Sequence, residues 1–102
     1  MIVRIWHGRT PRKRADEYLA FLKERTLPDI RDTEGNLEVD ILRRDEPDAS
    51  HFVIVSRWDS EDSIRIFVGE DIRKSKYFPE DKTFLIELES EVQQYELVAK
   101  AP

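Results

Sequence analysis

His7 and His51 are the only side chains in this sequence whose ordinary titration falls near neutral pH. His7 stands beside Trp6, where an imidazole could act as a general base toward a bound ligand. His51 begins a strand next to a loop, where solvation is the simpler role. Arg4 and Arg43 interrupt segments otherwise rich in apolar residues. Pointing inward, either could steady a carboxylate, phenolate or enolate. The competing role is a structural ion pair with Glu96, Asp40 or another carboxylate, because buried arginines are usually paired. Trp6 and Trp58 could stack on a flat ligand, or serve as core and interface aromatics. Tyr77, in Tyr77-Phe78-Pro79, offers a hydroxyl from a loop that either closes over a pocket or pins itself to the core.

Other chemistries find no footing. The two histidines lie far apart without an H-E-x-x-H spacing, so they make no recognisable metal set. Asp45-Glu46-Pro47-Asp48 lacks the glycine and distal glutamate of a calcium loop and reads as a solvated turn. Arg9, Arg12, Lys13 and Arg14 cluster at a helix start, where backbone N–H groups favour anions. No glycine-rich loop precedes them, and Asp16 and Glu17 offset their charge, so an exposed basic patch is the simpler reading. With no cysteine there is no disulfide, thiolate nucleophile or Cys-bound metal.

The elements that must position these residues belong to one domain, residues 1–102. A 102-residue chain with 39% hydrophobic and 38% charged residues can build one core under a very polar surface. A net charge of −5 argues against bulk nucleic-acid binding. No apolar run reaches the about 18 residues of a membrane span, so a cytoplasmic protein is expected.

Met1 to Gly8 reads as a strand. Thr10-Pro11 then opens a helix, with threonine as the cap and proline first in the helix. Ala15, Tyr18, Leu19 and Leu22 form its stripe, and Pro28 should end or kink it near Thr26 or Leu27. Leu37, Val39 and Ile41 alternate with acidic residues as a half-buried strand. After a hairpin turn at Asp45–Asp48, the near-continuous apolar run Phe52–Val55 marks a strand, His51 to Trp58, covered on both faces. A capped helix follows over Glu61 to Val68, and Gly69 stops it. Residues 70–83 read as charged and irregular, with short helical turns near Asp71–Ser75 and after Pro79. Glu91 to Ala99 alternates as a last strand.

The order β-α-β-β-α-β is the ferredoxin-like, α+β pattern: four antiparallel strands with two helices on one face. The other sheet face needs cover, and a second copy of the chain could provide it.

With that order, the segment Met1-Ile-Val-Arg-Ile-Trp-His-Gly8, the stretch Phe52 to Phe67 with its Trp58-Asp59-Ser60, and Val92-Gln-Gln-Tyr-Glu-Leu-Val98 resemble the dimeric α/β-barrel superfamily that includes the antibiotic biosynthesis monooxygenases. The resemblance implies a homodimer with sheets packed face to face. It also implies a pocket in each protomer between sheet and helices. Some members oxygenate aromatics without metal or flavin, and others degrade haem. The haem-degrading branch looks to need a first-strand asparagine and a histidine after the second helix. Trp6 stands at roughly the first of those places, and Glu70 to Tyr77 contains no histidine; only Trp58 matches.

The expected activity is therefore cofactor-independent monooxygenation of a small electron-rich aromatic, with no metal. In it His7 is the catalytic candidate, and Arg4, Trp6, Arg43, Trp58 and Tyr77 contact substrate. The alternative is a non-catalytic ligand-binding or stress-associated module of the same fold.

Overall fold

In β1 (Ile2–Pro11) Arg4, Trp6, Gly8 and Thr10 are buried, while each residue between them is half exposed. β3 (Ala49–Trp58) repeats the pattern with Ser50, Phe52, Ile54, Ser56 and Trp58. A period of two with one buried set is the mark of a sheet covered on one face, so β3 is not covered on both faces as its apolar run suggests; only the helical layer buries it. The two strands pair antiparallel along their whole length, with Trp6 opposite Ile54 and Gly8 opposite Phe52. β2 (Asn36–Asp45) joins the far edge of β3, and β4 (Gln93–Glu96) joins β1, giving the order β2-β3-β1-β4. This is the four-stranded antiparallel, ferredoxin-like sheet expected from the element order. The computed structural model describes all residues, 1–102, and contains no helix long and apolar enough to cross a membrane.

The helical layer between β1 and β2 starts with a 3₁₀ turn, Arg12–Arg14, and continues as α1 (Ala15–Phe21). A π-helical turn, Leu22–Thr26, leads into α2 (Leu27–Arg31). Pro28 was expected to end or kink this helix; instead the chain passes through it on the widened turn. Proline lacks the N–H that would reach the Glu24 carbonyl, and its ring would crowd that carbonyl in a regular α-helix. The π turn relieves the conflict: the Leu27 N–H bonds the Leu22 carbonyl five residues back.

A second difference lies at Thr10-Pro11, expected as a helix cap. Both residues belong to β1, opposite Ser50 and Ala49, and no side chain caps the 3₁₀ turn. Because β3 begins at Ala49, it offers a ladder partner that overrides the local capping preference. The last strand is shorter than expected, since only Gln93–Glu96 lies along β1.

The helix α3 (Glu61–Val68) has the expected bounds. Ser60 accepts the Ser63 N–H at 3.2 Å, and the Ser63 hydroxyl donates to Asp59 at 2.5 Å. Those hydroxyl bonds hold the Asp59 carboxyl below its ordinary range. Gly35 makes the approach of this helix to β2 possible. Its φ is +92°, and a β-carbon there would sit 1.9 Å from the Ser63 hydroxyl oxygen. A last helical turn, α4 (Asp81–Phe84), follows Pro79. The core packs between sheet and helices, where Trp58, Tyr18, Phe52, Leu22 and Ile64 are fully buried.

Candidate functional site

Between the helix-covered sheet face and the π turn lies a cavity. Trp6, Ile54, Leu22, Ile30, Phe67 and Val92 wall it, with Arg4, Tyr18, Thr26, Ser56, Lys76, Tyr77 and Asp81 as its polar members. Its volume is about 40 Å³, room for a few waters rather than an aromatic ring. The π turn contributes twice: the wider turn places both Leu22 and Thr26 on the wall.

Arg4 is 4% exposed. Its guanidinium donates to the carbonyls of Ile72 and Lys74 and, at 3.2 Å, to the Gln94 side chain. No carboxylate pairs with it, so the ion pair considered from the sequence does not form. Burial alone lowers its pKa to about 10, leaving it a cation near neutrality. The contacts hold the segment after α3 against β1, so the same residue closes the cavity and charges it.

The Trp6 indole N–H donates to the Tyr77 hydroxyl at 3.1 Å, and that hydroxyl donates to the Glu89 carbonyl. The rings meet edge to face, 6.2 Å between centroids. Gly8 makes space for the indole, because a β-carbon there would lie 2.4 Å from the Trp6 ring.

Asp81 and Tyr18 form the buried acidic corner. The Tyr18 hydroxyl donates to Asp81 at 2.8 Å, and the Phe78 N–H donates to the other carboxyl oxygen at 2.7 Å. Burial raises the Asp81 pKa above its ordinary value, against the lowering effect of these two bonds. The Tyr18 hydroxyl is raised too, first by burial and then by Asp81. The Thr26 hydroxyl oxygen is buried with no hydrogen-bond partner.

Three of the residues singled out in the sequence, Arg4, Trp6 and Tyr77, thus meet at one cavity. The other three do not. Trp58 is fully buried behind it, donating to the Ser56 hydroxyl at 2.9 Å and lying 5.5 Å from the Phe67 ring. Arg43, on the edge strand, is held by Asp16 and Asp45 at 2.8 Å each. His7 belongs to the odd-numbered set of β1 and lies on the opposite sheet face.

On that outer face His7 and His51 join in a chain. His7 Nδ1 contacts Glu89 at 2.5 Å, His7 Nε2 contacts His51 Nδ1 at 2.9 Å, and His51 Nε2 contacts Glu46 at 2.9 Å. No group of three or more such side chains converges to hold a metal ion. The basic cluster near the first helix is also engaged: Arg9 pairs with Glu87, Arg12 with Asp45 and Arg14 with Glu17.

Sequence reasoning missed Thr26, Lys76 and Asp81 as wall residues. Nothing local distinguishes Asp81 from the other acidic residues among the 22 present. Pro28 was the one usable signal for Thr26, since a proline within a helical stripe calls for a widened turn before it.

The comparisons agree with this fold. No curated protein matches the chain in sequence. Among solved structures, a crystal structure of a MhuD mutant with two manganese protoporphyrin IX molecules bound per active site is similar in fold. The TM-score is 0.61 at 14% identity, covering 100% of this chain and 99% of that one. The sequence profile of the antibiotic biosynthesis monooxygenases matches residues 1–74, from β1 through the segment that carries the Arg4 contacts. By that match and this fold, the chain belongs to the antibiotic biosynthesis monooxygenase family.

Proposed function

We propose that this protein is a cofactor-independent monooxygenase of a small electron-rich aromatic, bound in the cavity beneath Trp6 and Tyr77. The observation that carries the reading is Arg4, a buried cation at a cavity wall whose guanidinium is bonded by neutral oxygens and paired with no carboxylate. A buried charge without a counter-ion is costly, and a substrate enolate or phenolate would supply the missing charge. In the reaction, loss of a proton leaves a substrate carbanion that passes an electron to O₂. Recombination forms a hydroperoxide, and loss of water leaves a carbonyl: CH₂ plus O₂ becomes C=O plus H₂O. Arg4 stabilises the anion, and Trp6 and Tyr77 hold the ring. His7 is turned to the other face, so a group of the substrate or of the cavity wall handles the proton. The cavity must widen for a ring to enter.

Oxygen uptake by the wild-type protein with dihydroxylated aromatics, in the presence of a chelator and without flavin, tests the reading. Arg4→Ala should reduce uptake roughly a hundredfold, while Arg65→Ala on the exposed side of α3 should leave it unchanged. No uptake by the wild type with any such substrate would sink the oxygenase. The non-catalytic binding or stress-associated module would then stand. That second reading draws support from the small cavity and from the absence of imidazole on its wall.

The same reading includes a homodimer. Val3, Ile5, Val53 and Val55 are half exposed on the outer face, flanked by Leu42 and Tyr95, which are 52% and 56% exposed. A second copy would cover this apolar patch, and sedimentation at micromolar concentration showing only monomer would refute it. Haem does not suit the cavity, whose wall carries no histidine to meet its iron.

A further inference from the structure

Three polar groups on the cavity wall lack the kind of partner their chemistry requires, and each comes from a different element. Arg4 on β1 is a buried cation surrounded by neutral oxygens. Asp81, the first residue of α4, is a buried anion, 4% exposed, that takes a hydroxyl and an N–H but meets no cation. Thr26, in the π turn, has a buried hydroxyl oxygen with no partner. The other polar wall groups are engaged: Lys76 with Asp29 at 3.0 Å, Ser56 under the Trp58 indole, and Tyr77 between Trp6 and Glu89. Native interiors pair their buried charges and satisfy their buried hydroxyls. Here a cation and an anion line one cavity without pairing with each other.

We infer that the cavity is built for a small aromatic hydroxy acid, which presents an acidic oxygen to Arg4 and a hydroxyl hydrogen to Asp81. Thr26 is left for a further polar atom of the ligand. The inference rests on the reading of this cavity as the ligand site. It narrows electron-rich aromatics to those carrying both an anionic oxygen and a donor. Tyr77, Asp81 and Val92 lie beyond the matched residues 1–74, so part of this selectivity comes from outside the family match. The same chemistry supplies the missing space. An anionic oxygen makes charge-assisted bonds stronger than those of the neutral Ile72 and Lys74 carbonyls. A ligand seated on Arg4 therefore releases the segment that closes the cavity.

The test is binding of the three hydroxybenzoate isomers, benzoate and phenol, followed by calorimetry and tryptophan fluorescence. The wild-type protein should bind at least one hydroxybenzoate roughly tenfold more tightly than either benzoate or phenol. Arg4→Met should erase the advantage over phenol, and Asp81→Asn the advantage over benzoate. Arg4→Lys should keep part of the affinity. Should the variants fail to fold, the ligand series on the wild-type protein decides alone. If all five ligands bind within about twofold of one another, or none binds at millimolar concentration, the inference is overturned. In that case water bridges Arg4 and Asp81 as an internal hydrated pair. Because the readout is binding, hydroxybenzoate affinity without oxygen uptake keeps the inference and removes the oxygenase. Oxygen uptake with phenols that lacks any hydroxybenzoate preference does the reverse.

Discussion

Arg4 and His7 stand three residues apart on one strand, yet the sheet sends them to opposite faces and into opposite electrostatic surroundings. On the helix-covered face Arg4 and Asp81 are each 4% exposed and lack ionic partners. On the outer face His7, His51, Glu46 and Glu89 are linked one to the next while still touching solvent. The difference is one of dielectric as well as layout. Paired groups near water gain little and cost little, whereas unpaired groups under helices carry a desolvation cost that only a partner can offset. The buried face is therefore where a ligand would change the energetics most, and the outer face is already self-satisfied in its polar part.

The largest effect that can break this comparison comes from neighbours on β3. Phe52 is fully buried and meets Tyr18 at 5.2 Å between ring centroids, so Phe52→Ala should destabilise the protein by about 3–5 kcal/mol in urea unfolding. Val53, on the outer face, should cost about 1 kcal/mol or less as alanine in the monomer. Equal costs would mean that the faces are not distinct.

A smaller effect is expected at Gly8. An alanine there collides with the Trp6 ring, so Gly8→Ala should cost about 1–3 kcal/mol. It should also move the tryptophan emission as the indole leaves its place. An unchanged spectrum would show that Trp6 does not lie over this glycine.

The smallest effect sharpens the electrostatic contrast through pH. The folded-state pKa of Asp81 is raised above 3.8 by burial. Its ionised form therefore weakens folding near neutrality, and that deficit fades as pH falls through the raised value toward 3.8. Stability of the wild type relative to Asp81→Asn should accordingly rise on acidification. The Glu46 pKa is lowered below 4.5, chiefly by its bond from His51. Its contribution is present above 4.5 and lost as pH falls through the lowered value, so stability relative to Glu46→Gln should fall. Urea midpoints across that range should slope in opposite directions; parallel slopes would remove the contrast.

Much of the fold was legible because period and punctuation are local. The alternation in β2, the Ser60 cap and Gly69 stop of α3, and the element order could all be read from residue types, whereas the apolar runs of β1 and β3 hid which of their faces is covered. Thr10-Pro11 misled because a ladder partner from β3, about forty residues away, outcompeted a local cap. The cavity was only partly legible. Arg4, Trp6 and Tyr77 announced themselves by chemical type, whereas Asp81 and Thr26 have ordinary types in ordinary contexts.

What the sequence determined by itself was the family, the order of elements and the alternation that separates even from odd residues on β1. Those depend on neighbours along the chain and on the two-residue repeat of a strand. Only the tertiary structure decided which alternate set the helices cover. That choice placed Arg4 in a cavity without a counter-ion, turned His7 outward onto His51, and brought Asp81 from the far end of the chain to the same wall as Arg4. Burial and pairing are properties of surfaces that meet across the fold, and no local pattern encodes them.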